Sequence, residues 1–481
     1  MLARAMPARC AVQPLRAIAT LFAVLAVAAL LGACSDDDAT SSKTAPQRAQ
    51  AAATPPPSAK KDAQQPGAGD AAAPQERAAR ARVRGGLAGR MARSLRTRLP
   101  LVVLQTRRAI RKSPKIRARV GLIDHATNTV KSSPNGYDGF AGISVRGQSS
   151  SRFAKKSYTV ELRDEAGKNR NEKLLGMPAE NDWALYASHN DKSLMRNVIA
   201  YDAARRLGDW AARTKYVELV LNGRYQGVYI LMETVKLDRG RVVVADKGLG
   251  GRYLAEMTLG WQARKKGKFF RTPVKNQAVV YDDPKSEDLS RQEAGYVRRV
   301  IRGAERDLYR GSRRSWRSRL QMAAAVDYVL LEELFRNPDA FQASTFMVKG
   351  AGSKLKLGPV WDFDIGLGNS TRANAKRTSG WMTGDRVWAS RLLADSQFKR
   401  ELRLRWRKLR AGGLRRSLFQ RTTASVRELG PAAKRNFRRW PVLNKRVWQE
   451  PVLRGSYKAE VRGLRNWLRG RVAWLDRTLG L

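Results

Sequence analysis

The sequence predicts an α+β fold, with a mainly antiparallel sheet in its first half and helices in its second. Three observations carry this reading. Short β-rich runs broken by turn signals recur between residues 101 and 258. The clearest is Tyr216–Leu221, Asn222-Gly223, Tyr225–Leu231, where Asn-Gly supplies the positive φ angles of a tight hairpin. Beyond Gly368 apolar residues step at helical intervals. Phe398, Leu402, Trp406 and Leu409 form one stripe, and Val461, Leu464, Leu468, Val472, Leu475 and Leu479 another.

Taken in order, the chain opens with Arg4, Arg9 and Arg16 before an uncharged apolar run of 15 residues, Ala17–Leu31. That run is too short to span a bilayer and has the form of a secretory signal. Leu31-Gly32-Ala33-Cys34 resembles the bacterial lipobox, so residues 1–33 are expected to be cleaved and Cys34 lipidated. Residues 34–98 are rich in Ala, Pro, Gln and charge, and no aromatic lies between Phe22 and Tyr137. They are expected to form a disordered tether, with a basic, helical-looking end near residues 85–98.

The first strand is expected at Leu101–Leu104, a second at Lys115–Asp124, and a pair at Gly142–Gly147 and Ser157–Leu162. A short strand at Asp182–Ala187, a helix at Ser193–Leu207 closed by Gly208, the Asn-Gly hairpin and a strand at Arg252–Thr258 follow. Residues 259–320 are basic and show little pattern before a helix near Gln292–Leu308.

The formal charge of +51 calls for anionic neighbours, unless it reflects only an Arg-rich genome. Interleaved Arg and Trp resemble a nucleic-acid surface, but a secreted chain makes nucleic acid an unlikely partner. With only His125 and His189 present, and no nucleophile elbow, histidine-based metal or hydrolase chemistry has no support.

The stretch from Ala323 to Gly368 carries the chemistry. An apolar helix, Ala323–Phe335, runs into the turn Arg336-Asn337-Pro338-Asp339. Two strands, Ser344–Lys349 and Lys354–Val360, then deliver Trp361-Asp362-Phe363-Asp364. This order brings carboxylates from distant positions into one cleft, which suits phosphoryl transfer. Asp362 and Asp364 flank Phe363, so on a strand both face one way, and two like charges on one face call for a cation. Plainer readings stay open. Asp339 follows Asn-Pro as a turn residue would, the Asp362/Asp364 pair could be exposed, and Lys155-Lys156 could end a solvated strand. Asp191 and Arg196 read as a structural pair. Gly147-Gln148-Ser149-Ser150-Ser151, between two strands, is the best candidate for a loop that cradles an anion.

Several blocks, in this order, resemble the CotH kinase family, named after spore-coat protein H. They are Leu99-Pro100 with Thr106; Ile143–Ser150; Lys155–Tyr158; Asn181–Leu185; Asp191–Asn197; Leu221–Glu233; and Pro359–Asp364. The resemblance implies an atypical kinase-like two-lobed fold, with an α+β N-lobe at 99–258 and a helical C-lobe at 259–481. ATP and Mg²⁺ or Mn²⁺ would sit between the lobes. It implies Asp339 as the catalytic aspartate, Asp362 and Asp364 as metal ligands, and Lys156, with Lys155 beside it, as the phosphate-binding lysine. Arg146 and Glu233 fall on the nucleotide side. The Asn usual five residues after the catalytic aspartate is here Ser344, a weaker metal ligand. Two functions are therefore expected. One is transfer of a phosphoryl group from ATP to a protein or envelope-polymer hydroxyl outside the cytoplasm. The other is an inactive, pseudokinase-like envelope protein that binds anionic ligands.

Overall fold

The computed structural model describes residues 86–244, 251–312, 315–384 and 386–481. The signal segment, Cys34 and most of the expected tether lie outside these residues.

Seven strands close into a barrel. They are β1 (Leu101–Thr106), β2 (Ile116–Ile123), β3 (Tyr137–Arg146), β4 (Ser157–Arg163), β5 (Asp182–Tyr186), β6 (Thr214–Leu221) and β7 (Arg224–Glu233), in the order β1-β2-β3-β4-β5-β7-β6. Neighbours are antiparallel except β1 and β6, whose parallel pairing closes the ring. The expected antiparallel sheet is therefore a closed barrel, without the open edges of an ordinary kinase lobe. Val120, Ile143, Val160, Trp183, Leu185, Leu219 and Tyr229 fill its interior. Each fully buried Leu or Val there contributes about 1.5–3 kcal/mol.

β7 is apolar on both faces. Tyr229 and Leu231 point into the barrel, while Val228, Ile230 and Met232 pack outward on the helical core. That explains its unbroken Val-Tyr-Ile-Leu-Met run. At Gly227 (φ 95°) an added Cβ would lie 2.5 Å from Asn436 Oδ1. Asn436 is thereby free to accept the Val228 N–H at 3.1 Å, joining barrel to helix.

Helix α1 (Leu87–Arg93) corrects the tether boundary. Met91, Ala92 and Leu95 are buried with Leu101, Ile123 and Tyr225, so the folded unit begins before residue 99. Helix α2 (Arg196–Arg206) follows the Asp191–Arg196 pair. Asp191 accepts the Arg196 N–H at 2.8 Å and pairs with its guanidinium, both groups being buried. That pair is structural, as expected.

Sequence patterning missed a second sheet. β8 (Arg252–Thr258), β9 (Phe269–Arg271), β10 (Ala278–Asp283), β11 (Thr345–Gly350) and β12 (Lys356–Leu357) form five antiparallel strands in the order β12-β11-β8-β10-β9. A short helix α3 (Gly260–Lys266) joins β8 to β9. β8 pairs with β10 and β11, both later in the sequence, so the sheet runs across the expected division at residue 258. β9 is only three residues long and follows a basic run, and β10 has a continuous apolar start, Ala278–Tyr281, with no period-2 alternation.

The remaining helices form one core: α4 (Arg291–Arg310), α5 (Met322–Phe335), α6 (Ala389–Ala394), α7 (Ser396–Ala411), α8 (Leu414–Arg439) and α9 (Tyr457–Leu479). A capping box between Ser290 and Glu293 starts α4. In α5, 12 of 14 residues are buried, which makes it the central helix and accounts for its apolar run. Two of its three acids are paired: Asp327 meets Arg405 at 2.6 Å and Glu333 meets Arg471 at 2.8 Å, while burial raises the carboxyl of Glu332, which has no ion pair among the described residues. No described helix is long and apolar enough to cross a membrane.

Candidate active site

A cleft of about 980 Å³ lies between the barrel, the second sheet and the loops that follow α5 and β12. Nine carboxylates line it against six Lys and Arg side chains. On a chain of net charge +51 this cleft is a local reversal of sign.

Helix α5 supplies the first acid. Arg336 closes it in the left-handed region (φ 45°). Asn337 Oδ1 then accepts the Asp339 N–H at 3.1 Å, an Asx turn that sets Asp339 on the cleft wall. The turn expected there is present, and it leaves Asp339 on the cleft wall. The Asp339 carboxylate meets Arg372 Nη2 at 2.6 Å.

The second set comes from Trp361–Ile365. This segment is irregular where a strand was expected, and Asp362 has φ 62°. Asp362 N–H donates to the Tyr201 hydroxyl at 3.1 Å and Phe363 N–H to Asn197 Oδ1 at 2.7 Å. Asn197 and Tyr201 stand one turn apart on α2 and grip the loop together. Phe363 enters the core against Phe335 and Tyr201, which leaves Asp362 and Asp364 on the cleft.

Asp364 is buried and its Oδ2 accepts from Tyr186 Oη and Asn190 Nδ2, each at 2.9 Å. Burial pushes its carboxyl up to about 6, against the pull of those two hydrogen bonds. Burial and then the neighbouring Asp364 and Asp339 hold Asp362 well above the usual carboxylate range, and Arg146 only partly opposes them. Among the described residues no donor reaches the Asp362 carboxylate.

Arg146 ends β3, its guanidinium 5.6 Å from the Trp361 ring centroid. Burial lowers its pKa, and the Asp362 charge is the leading influence in the other direction. The next residue must be glycine. Gly147 has φ 100°, and a Cβ there would lie 2.1 Å from Ser150 Oγ. Gly147, Gln148, Ser149 and Ser150 border the cleft; Ser151 does not. Ser344 (φ 51°) also lines it.

Three expected nucleotide residues lie elsewhere. Lys155 is buried away from the cleft, donating to Ala187 O at 2.7 Å, Asn436 Oδ1 at 3.0 Å and Val228 O. Burial drives its pKa well below that of an ordinary lysine. Lys156 donates to Ser151 O at 2.9 Å and so braces the loop behind the cleft; it is not among the lining residues. Glu233 pairs with Arg213 at 2.7 Å and also accepts the Arg213 N–H, so it meets neither lysine nor cleft. Adjacent side chains on an extended segment diverge, and here neither lysine turns toward the acids.

Sequence reasoning also missed residues. Glu256 on β8 is buried and paired with Lys266, and burial raises its carboxyl. Asp282, Asp283, Lys285 and Asp288 lie on the same wall. They come from the second sheet and its following turn, where no pattern was legible. Arg372 follows Gly368 and opens a 3-10 turn, Arg372–Asn374, too short to leave a pattern in the sequence.

These features define a class of protein: an α+β fold with an acidic, arginine-bearing cleft. The chain belongs to the CotH kinase protein family, whose model matches residues 143–475 and so takes in Arg146, Asp339, Asp362 and Asp364. No curated protein matches it. Among solved structures it is similar to the Helicobacter pylori proinflammatory kinase CtkA. The identity is 8%, the match covers 67% of this chain and 94% of that one, and the TM-score is 0.26. A likeness so distant carries no argument about the site.

Proposed function

We propose that this chain transfers the terminal phosphoryl group of ATP, with Mg²⁺ or Mn²⁺, to a hydroxyl of a protein or envelope polymer. The reaction takes place outside the cytoplasm, on a chain held to a membrane through lipidated Cys34. One observation carries the catalytic part: Asp339, Asp362, Asp364 and Arg146, far apart in sequence, line one cleft.

The residues fit a divalent cation. Among the described residues the Asp362 carboxylate lacks a donor, and like Asp364 it is held above its ordinary pKa by burial. Among the described residues no three acids are already drawn together tightly enough to hold a metal alone. Magnesium suits such a site, since it takes one or two carboxylates and completes its shell with water and phosphate oxygens. Asp362 and Asp364 would hold the ion, with Ser344 as the neutral neighbour. Bound there, it would neutralise charge on the phosphate oxygens. Without it the acid excess of the cleft repels a free triphosphate. Asp339 orients the acceptor hydroxyl, and Arg146 with the Gly147–Ser150 backbone faces the phosphates.

The test is transfer of labelled phosphate from ATP to the chain itself or to a generic acceptor, with Asp339→Ala and Asp362→Ala as controls. Each control is expected to lower the rate by about 10²–10³. Absence of both transfer and nucleotide binding in the wild type rejects the proposal. Ser344 favours a second reading, in which the cleft binds nucleotide without transfer; binding with no turnover selects it.

A further inference from the structure

We infer that Arg372 is a catalytic residue that contacts the transferred phosphoryl group, an assignment that rests on the transferase reading above. Arg372 lines the cleft beside Asp339. Among the described residues its Nη2 makes both polar contacts of the guanidinium, to Asp339 Oδ1 at 2.6 Å and to Pro338 O at 3.1 Å. No described residue accepts from Nε or Nη1. A guanidinium is thus fixed at one corner, with its other donors free at the cleft.

Its backbone is also fixed. Arg372 N–H donates to Ser370 Oγ at 3.0 Å and Thr371 N–H to Gln449 O at 2.9 Å. Arg336, the residue that closes α5, donates to Asn374 O at 3.2 Å. The turn that carries Asp339 and the segment that carries Arg372 are therefore tied together twice, through Pro338 O and through Arg336. Side chains held this way need no reorganisation when charge develops.

The position fits the chemistry. In the transfer, the acceptor hydroxyl oxygen bonds to the terminal phosphorus as the bond from that phosphorus to the bridging oxygen breaks. The electron pair of the broken bond leaves with the nucleoside diphosphate, and the hydroxyl proton passes to Asp339. Protonation cancels the charge that Arg372 was paired with. Its positive charge then faces the phosphoryl oxygens alone, at the moment they need it. Lys155 and Lys156, the cations expected for phosphate, cannot do this from where they lie. An arginine that meets a transferring phosphoryl group adds about 10³–10⁵ to the rate in other phosphotransferases.

The experiment has two readings, both on the full chain. The first is affinity for a non-hydrolysable ATP analogue relative to ADP, each with Mg²⁺. Wild type is expected to prefer the triphosphate, Arg372→Ala to lose that preference about tenfold, and Arg372→Lys to keep part of it. An unchanged preference in Arg372→Ala overturns the assignment. The second is turnover. Arg372→Ala is expected to lower kcat by at least about 10² with little change in acceptor KM, and added guanidinium to restore part of it. A kcat that stays level or rises also overturns the assignment, because Arg372 would then be only a latch on Asp339. Should Arg372→Ala fold poorly, Arg372→Lys and Arg372→Gln carry both readings. A wild type that transfers no phosphate rejects the transferase reading and the catalytic role of Arg372 with it, and the triphosphate preference then decides only whether Arg372 contacts the terminal phosphate.

Discussion

Glu333 and the Asp362/Asp364 pair lie on either side of the turn that follows α5, and the protein treats them oppositely. Glu333 has no exposure and is fully answered. It accepts from the Met382 and Thr383 amides, from the Thr383 hydroxyl and from Arg471. Asp362 receives no donor among the described residues, and Asp364 only two neutral ones. The cations divide the same way. Lys155 is locked to three acceptors in the interior, whereas Arg146 stands at the cleft beside Asp362. Charges answered inside the protein hold the fold; charges left uncompensated at a cleft mark where a ligand completes the structure.

Substitutions can break or sharpen this contrast. Glu333→Ala leaves Arg471 buried and unpaired, and is expected to cost about 3–5 kcal/mol in urea unfolding. A loss below about 1 kcal/mol would show that the pair is not structural. Asp364→Asn should act in the opposite direction. The folded carboxyl titrates near 6 and the unfolded one near 3.9, so the fold binds this proton more tightly. Its contribution to stability is full below pH 3.9 and is lost as pH rises through 6. At pH 7 without metal the ionised group therefore costs roughly 3 kcal/mol. Asp364→Asn is expected to recover up to that amount at pH 7, to change little at pH 4, and to abolish stabilisation by Mn²⁺. A less stable variant at pH 7 would contradict this.

Lys155→Met strands three acceptors and is expected to lose about 1–3 kcal/mol, with nucleotide affinity unchanged. A specific loss of nucleotide affinity would return Lys155 to the site. Lys156→Ala should have the smallest effect, below about 1 kcal/mol in stability and within about threefold in nucleotide affinity.

Much of this contrast was legible in the sequence. The apolar run of α5, the Asn-Pro-Asp turn and the Asp-Phe-Asp exit each have local signatures, and they do meet in one cleft. The helix at residues 196–206 and the Asn-Gly hairpin were equally plain. The lysines were not: both precede β4, which begins at Ser157, so no strand period says where they point. Closure of the barrel depends on the pairing of β1 with β6, whose partners, such as Leu101 and Glu218, are far apart in sequence, so no local signal exists. Glu256 and Arg372 were hidden for a related reason: one lies in an unrecognised sheet, the other in a turn whose partner, Asp339, is distant in sequence.

The central claim is that the acidic cleft is built around a divalent cation that brings a nucleotide with it. Calorimetric titration of ATP into the full chain at pH 7.5, with Mn²⁺ and then with excess chelator, tests it most directly. Binding is expected only with metal, and not in Asp362→Asn. Equal affinity with and without metal, or an Asp362→Asn variant that binds as wild type does, would contradict the account.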